Sequence, residues 1–168
     1  MVTSSLVLNR ATTRELLSTL QSRTAEGFDE AMEAYCRDFH GGTFDLRRGD
    51  LLRVASKGVP DAPGVYAVYA VKDDQREVVY IGKAGTLRPD GEWKKQGLHG
   101  RLNAIQDDVP RQEFFQDKIS KEELDALSFR WLVTYGKGSQ ILPAKAEADL
   151  LQKYFELHRK LPRWNRAL

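Results

Sequence analysis

Apolar side chains recur at helical spacing early in the chain and then give way to β-type runs. Thr12-Thr-Arg-Glu15 is a capping-box pattern that opens onto Leu16, Leu17 and Leu20, and Phe28, Met32, Tyr35 and Phe39 share one helical stripe until Gly41-Gly42 interrupts it. A mixed stretch from Thr43 to Pro63, punctuated by Gly49-Asp50, Gly58, Pro60 and Pro63, reads as a connector. Beyond it, Gly64 to Val71 and Glu77 to Gly82 are rich in β-branched and aromatic residues and flank the polar turn Lys72 to Arg76, a hairpin signature. Leu127 to Tyr135 is a third strand candidate. Leu98 to Gln106 reads as a helix, and Pro143 to Leu161 as a long helix opened by one proline and closed before Pro162. This order predicts an α+β protein with a small sheet covered by helices. Residues 1–57 form an N-terminal helical extension and connector in this reading, and residues 58–168 the second unit.

A length of 168 residues favours one domain, on a prior of about 150 residues each. Hydrophobic residues at 41% and charged residues at 30% exclude disordered, collagenous and membrane-spanning classes. The longest apolar run, Gly64 to Val71, is far short of the ~18 residues of a spanning helix, and the first residues do not read as a secretion leader. A cytoplasmic protein is expected. The single Cys36 and three histidines cannot assemble a four-ligand zinc site of ordinary spacing. A net charge of +2 identifies no partner, but six basic against three acidic side chains from Lys145 to Arg166 suit an anionic one. A solvated helix face would look the same.

Two local anomalies point to chemistry. Tyr66, Tyr69 and Tyr80 occupy strand positions where Val or Ile would pack as well, and Gly64 and Gly82 are costly in strands unless something must approach closely. A three-residue loop or a bulge would pair Tyr66 with Gly82 and residue 68 with Tyr80, placing both tyrosines on one face. An even loop would separate them. The second anomaly is Glu147, one helical turn before Leu151 on the apolar stripe Leu150, Leu151, Tyr154 and Leu161. A carboxylate there either favours the helix N-terminus through the dipole or serves as an oxygen ligand for a hard divalent ion.

Gly64-Val-Tyr66, Tyr80-Ile-Gly82-Lys83, Arg101 within Gly97-Leu-His-Gly-Arg-Leu102, Glu147 in a long helix and Pro162-Arg-Trp-Asn165 follow one another in an order that resembles the GIY-YIG nuclease family. The resemblance covers about residues 63 to 166, with valine replacing the middle isoleucine of the first motif. It implies a three-stranded antiparallel sheet with flanking helices and a metal-dependent site for phosphodiester hydrolysis. By the same resemblance, Tyr66 is the general base or water orienter and Tyr80 the second active-site tyrosine. Arg101 is the scissile-phosphate arginine, Glu147 the metal ligand for Mg²⁺ or Mn²⁺, and Asn165 the residue that buttresses the site. Lys83 follows the second motif as a lysine does in many members.

The chain departs from the pattern in two places. Some members carry a histidine four residues after the arginine, where Ile105 stands here, while His99 precedes Arg101. The stretch from Lys83 to Gly100, with Arg88, Trp93, Lys94 and Lys95, is longer than in compact members and resembles inserted loops of the restriction-endonuclease branch. Basic residues interleaved with an aromatic suit DNA contact, so Arg88, Lys94, Lys95 and His99 are candidate substrate-binding residues. The expected function is a DNA endonuclease. The alternative is a nucleic-acid-binding or regulatory module that keeps the fold without turnover. The N-terminal region is expected to pack on the core and supply substrate or dimer contacts.

Overall fold

Two strands rich in tyrosine and valine organise the molecule. In the computed structural model, which describes residues 26–166 apart from 35, 38, 95 and 137, Gly64–Lys72 (β2) and Gln75–Ala84 (β3) form an antiparallel hairpin. The capping box, the Leu16–Leu20 stripe, Tyr35 and Lys95 lie outside the described residues. Asp73 and Asp74 turn the chain with φ of 51° and 61°, a left-handed conformation that Asp tolerates. The Lys72–Gln75 turn alone would place Tyr66 opposite Ile81. A bulge between Val68 and Tyr69 moves the register by one, so that Tyr66 pairs with Gly82 and Val68 with Tyr80.

The sheet has four strands, not the three implied by the resemblance. Gly41–Leu46 (β1) pairs with Ala126–Val133 (β6), and the order is β1-β6-β2-β3, antiparallel throughout. The strand escapes a sequence reading because it is short and begins with two glycines. The second, Gly42, lies over the Trp131 indole, where a Cβ would stand 2.8 Å from Cζ2. Phe44 stacks on its cross-strand partner Phe129 with ring centroids 4.5 Å apart.

Helices cover both sheet faces, which is why Gly64 through Ala70 are all buried. On one face Leu52–Ala55 (α2), Leu98–Leu102 (α3) and Arg111–Lys121 (α4) bring Leu52, Leu98, Leu102, Phe115 and Ile119 onto Tyr66, Val68 and Phe129. On the other, residues 26–34 (α1) and Pro143–His158 (α5) bring Phe28, Met32, Leu150, Leu151 and Tyr154 onto Val65, Ala67, Tyr69 and Ile81. Phe28 meets Tyr69 and Tyr154 edge to face, and the Tyr69 hydroxyl donates to Asp29 at 2.6 Å. Described parts of the N-terminal region thus belong to both faces of the core.

Two helix boundaries and one whole helix differ from the sequence reading. The helix expected to reach Gln106 stops at Leu102, because Asp107 and Asp108, at φ of 52° and 62°, close a small hairpin of Ile105–Gln106 (β4) and Val109–Pro110 (β5). Helix α4 is absent from the sequence reading, since Phe114, Phe115 and Ile119 are its only apolar side chains and make a short stripe. Helix α5 ends at Arg159 in the left-handed conformation, before Leu161. Short strands Tyr135–Gly136 (β7) and Ser139–Gln140 (β8) precede it. Among the described residues, no helix is long and apolar enough to cross a membrane.

Candidate active site

The bulge brings the two motif tyrosines together. Tyr66 is fully buried, Tyr80 half-buried, and their ring centroids are 5.9 Å apart. Gly82 is the reason they fit. A Cβ there would stand 2.6 Å from Tyr80 Cε1 and 3.0 Å from both Cζ and the hydroxyl of Tyr66. Gly82→Ala is therefore expected to push the pair apart and destabilise the fold by about 1–3 kcal/mol, as overpacking does. Chemical denaturation measures this, and an unchanged midpoint would mean that the gap is not needed.

The Tyr66 hydroxyl has no hydrogen-bond partner among the described residues. Burial is the main force raising its pKa, with the neighbouring Tyr80 adding to the rise, while Arg111 and, more weakly, Arg101 pull it back. Tyr66 is therefore a neutral phenol at physiological pH, sealed from solvent, and Tyr80 is the phenol that solvent can reach. Arg101 is half-buried on α3 and close enough to act on the Tyr66 hydroxyl.

Arg111 is the functional candidate that sequence reading missed. It opens α4, is 3% exposed, and its guanidinium lies 5.9 Å, 5.6 Å and 5.8 Å from the ring centroids of Tyr66, Tyr80 and Phe115. One terminal nitrogen donates to Gln106, and Nε has no partner. A lone arginine after a proline carries no sequence signal that separates it from a surface arginine.

The remaining motif residues gather around the other side of β3. Strand alternation points Lys83 with Ile81 toward α5, where its ammonium is 2.7 Å from Glu147 Oε2. The inward-facing acid is thus ion-paired, and Lys83 is its only side-chain partner among the described residues. Asn165 binds the free edge of β3 through both amide atoms: Ile81 N–H donates to Oδ1 at 3.0 Å, and Nδ2 donates to the Ile81 carbonyl at 2.9 Å. The Trp164 N–H donates to the Val79 carbonyl at 2.9 Å, so the segment after α5 partly covers an otherwise open edge. The sheet therefore separates Tyr66, Tyr80 and Arg111 from Lys83 and Glu147, and Gly82, without a side chain, lies between the two groups.

The candidate substrate residues lie farther out. Arg88 and Lys94 are exposed on the inserted loop, which folds back through a Leu87–Trp93 bridge and a 2.9 Å bond from Lys94 N–H to the Thr86 carbonyl. Trp93 rests on Tyr135 at 4.8 Å, beside a cleft of about 390 Å³ lined by Asp61, Lys94 and Gln96. His99, two residues before Arg101, is half-buried, and its ring makes no hydrogen bond or ion pair among the described residues. Ile105, at the position where some members carry histidine, is 68% exposed.

No group of three His, Cys, Asp or Glu residues among the described residues could enclose a metal ion. Glu147 is a single carboxylate donor, which fits an ion such as Mg²⁺ that keeps most of its shell as water and substrate oxygens. Binding there would exchange the Lys83 ammonium for the cation.

Comparison with protein-family models, with curated proteins and with solved structures finds no match to this chain.

Proposed function

We propose that the protein is a divalent-metal-dependent DNA endonuclease of GIY-YIG type. The observation that carries this reading is the register set by the bulge, which brings Tyr66 and Tyr80 together over Gly82 and beside Arg111, with Arg101 close enough to act on the Tyr66 hydroxyl. In this reading Tyr80, the reachable phenol, touches the attacking water or the phosphate, and Tyr66 supports it from within. Arg101 binds phosphate oxygens through its planar donors. Glu147 would hold Mg²⁺ or Mn²⁺ in place of the Lys83 ammonium, and the ion when bound would supply positive charge at the phosphoryl oxygens. Asn165 holds the β3 backbone beside Gly82, and Arg88, Lys94, Lys95 and His99 contact the DNA backbone. The reading goes with a cytoplasmic enzyme. Double-strand cleavage would call for a second copy of the chain or a reoriented complex.

A second reading, a nucleic-acid-binding module without turnover, draws on two features: the Tyr66 hydroxyl is sealed, and Glu147 is already paired. Supercoiled, linear and single-stranded DNA incubated with Mg²⁺, Mn²⁺ or EDTA separates the two. Metal-dependent cleavage supports the first and binding without cleavage the second.

Tyr66→Phe is expected to slow single-turnover cleavage by about 10²-fold, because Tyr80, the group that touches the water in this reading, loses its support; that is the low end for a water-positioning group. The same change removes an unpartnered buried hydroxyl, so stability should stay level or rise by about 1 kcal/mol. A loss below tenfold, with a larger loss in Tyr80→Phe, would assign the chemistry to Tyr80 and leave Tyr66 as packing.

A further inference from the structure

Arg111 is the only charged residue that is buried among the described residues. Three features weigh against keeping a charge there for stability. It has no carboxylate partner among the described residues, its Nε–H is orphaned, and it stands in the first turn of α4, where the helix dipole is already positive. The compensation is limited to Gln106 and the faces of three aromatic rings. An unbranched apolar side chain would fill the same space without desolvating a charge.

The location of the charge gives it a use. The groups acting on the buried Tyr66 hydroxyl come from three elements: Arg111 from α4, Tyr80 from β3 and Arg101 from α3. Arg111 is the cation with the larger effect, and it also lies against Tyr80. We propose that Arg111 is a positioning residue of the phosphodiester site, its buried charge holding the Tyr66–Tyr80 pair and stabilising negative charge that builds up beside them during hydrolysis. This inference rests on the nuclease reading. No bond to Arg111 forms or breaks, and the guanidinium stays protonated throughout.

The test compares Arg111→Met and Arg111→Lys with the wild type in the full chain, by single-turnover cleavage with Mg²⁺, DNA affinity in EDTA, thermal melting and alkaline titration of tyrosine absorbance, with Tyr80→Phe identifying the Tyr80 contribution. Arg111→Met is expected to slow cleavage by about 10²-fold, as loss of a preorganised charge does. DNA affinity should change by less than about threefold, because exposed phosphate contacts dominate it. The melting temperature should be equal or higher. Tyrosine ionisation should move to higher pH in Arg111→Met and stay near wild type in Arg111→Lys, which should also recover part of the lost rate. Full-rate cleavage by Arg111→Met, an unchanged tyrosine titration, or a loss of rate that only tracks a large drop in melting temperature overturns the role while the nuclease reading stands. A wild-type protein that cleaves no DNA with any metal overturns both.

Discussion

Glu147→Gln is expected to lose about 10³-fold or more of single-turnover cleavage at saturating Mg²⁺, since metal charge stabilisation is worth several kcal/mol and each 1.36 kcal/mol is tenfold. Glutamine keeps the shape of the side chain and one carbonyl oxygen but removes the negative charge that makes a single-carboxylate site viable. The fold should hardly notice. The Lys83–Glu147 pair is 41% and 21% exposed at its two side chains, and pairs open to solvent contribute about 0–1 kcal/mol. Melting should therefore be close to wild type, and DNA affinity in EDTA should be retained. Calorimetric titration with Mg²⁺ or Mn²⁺ reads the same change apart from catalysis. Near-normal cleavage by the variant at saturating metal would remove Glu147 as the metal ligand.

Deleting residues 1–57 is expected to abolish cooperative folding. The deletion strips α1 from one sheet face and β1 from the sheet edge, and it takes away Phe28, Met32, Leu46 and Leu52, each with no exposed surface. Burying such a side chain is worth about 1.5–3 kcal/mol, so the four together rival the ~5–15 kcal/mol that keeps an ordinary domain folded. The cut also bares the β6 edge that β1 covers, which invites association between chains. Circular dichroism and light scattering on the 58–168 fragment measure both effects. A monomeric fragment that melts cooperatively near the full-length temperature would show these residues to be dispensable to the core. Cleavage by that fragment at unchanged rate and specificity would also rule out their expected role in substrate or dimer contacts.

Much of the architecture was legible along the chain because it is encoded locally. The β-branched and aromatic runs of β2, β3 and β6, the Lys72–Arg76 turn and Pro143 at the start of α5 each act through neighbours in sequence. Pairing distant segments needs information from across the fold. Gly41–Leu46 is a strand because Trp131 and Phe129 receive Gly42 and Phe44, and six residues do not announce such partners.

For the candidate site, the residue types and their order are readable along the chain, including the carboxylate on the inner stripe of α5 and glycine at position 82. The hairpin left two tyrosine registers open, since period-two alternation cannot say whether a bulge interrupts it. The irregularity at Val68 and Tyr69 puts Tyr66 and Tyr80 on one face in the folded sheet. Folding also brings Glu147 to Lys83, and seals Tyr66 while leaving Tyr80 reachable. Arg111 is the clearest case. Whether an arginine is a surface charge or a buried one depends on what packs over it, and here Tyr66, Tyr80 and Phe115 come from three different elements and meet around the guanidinium only when α4 closes on the sheet.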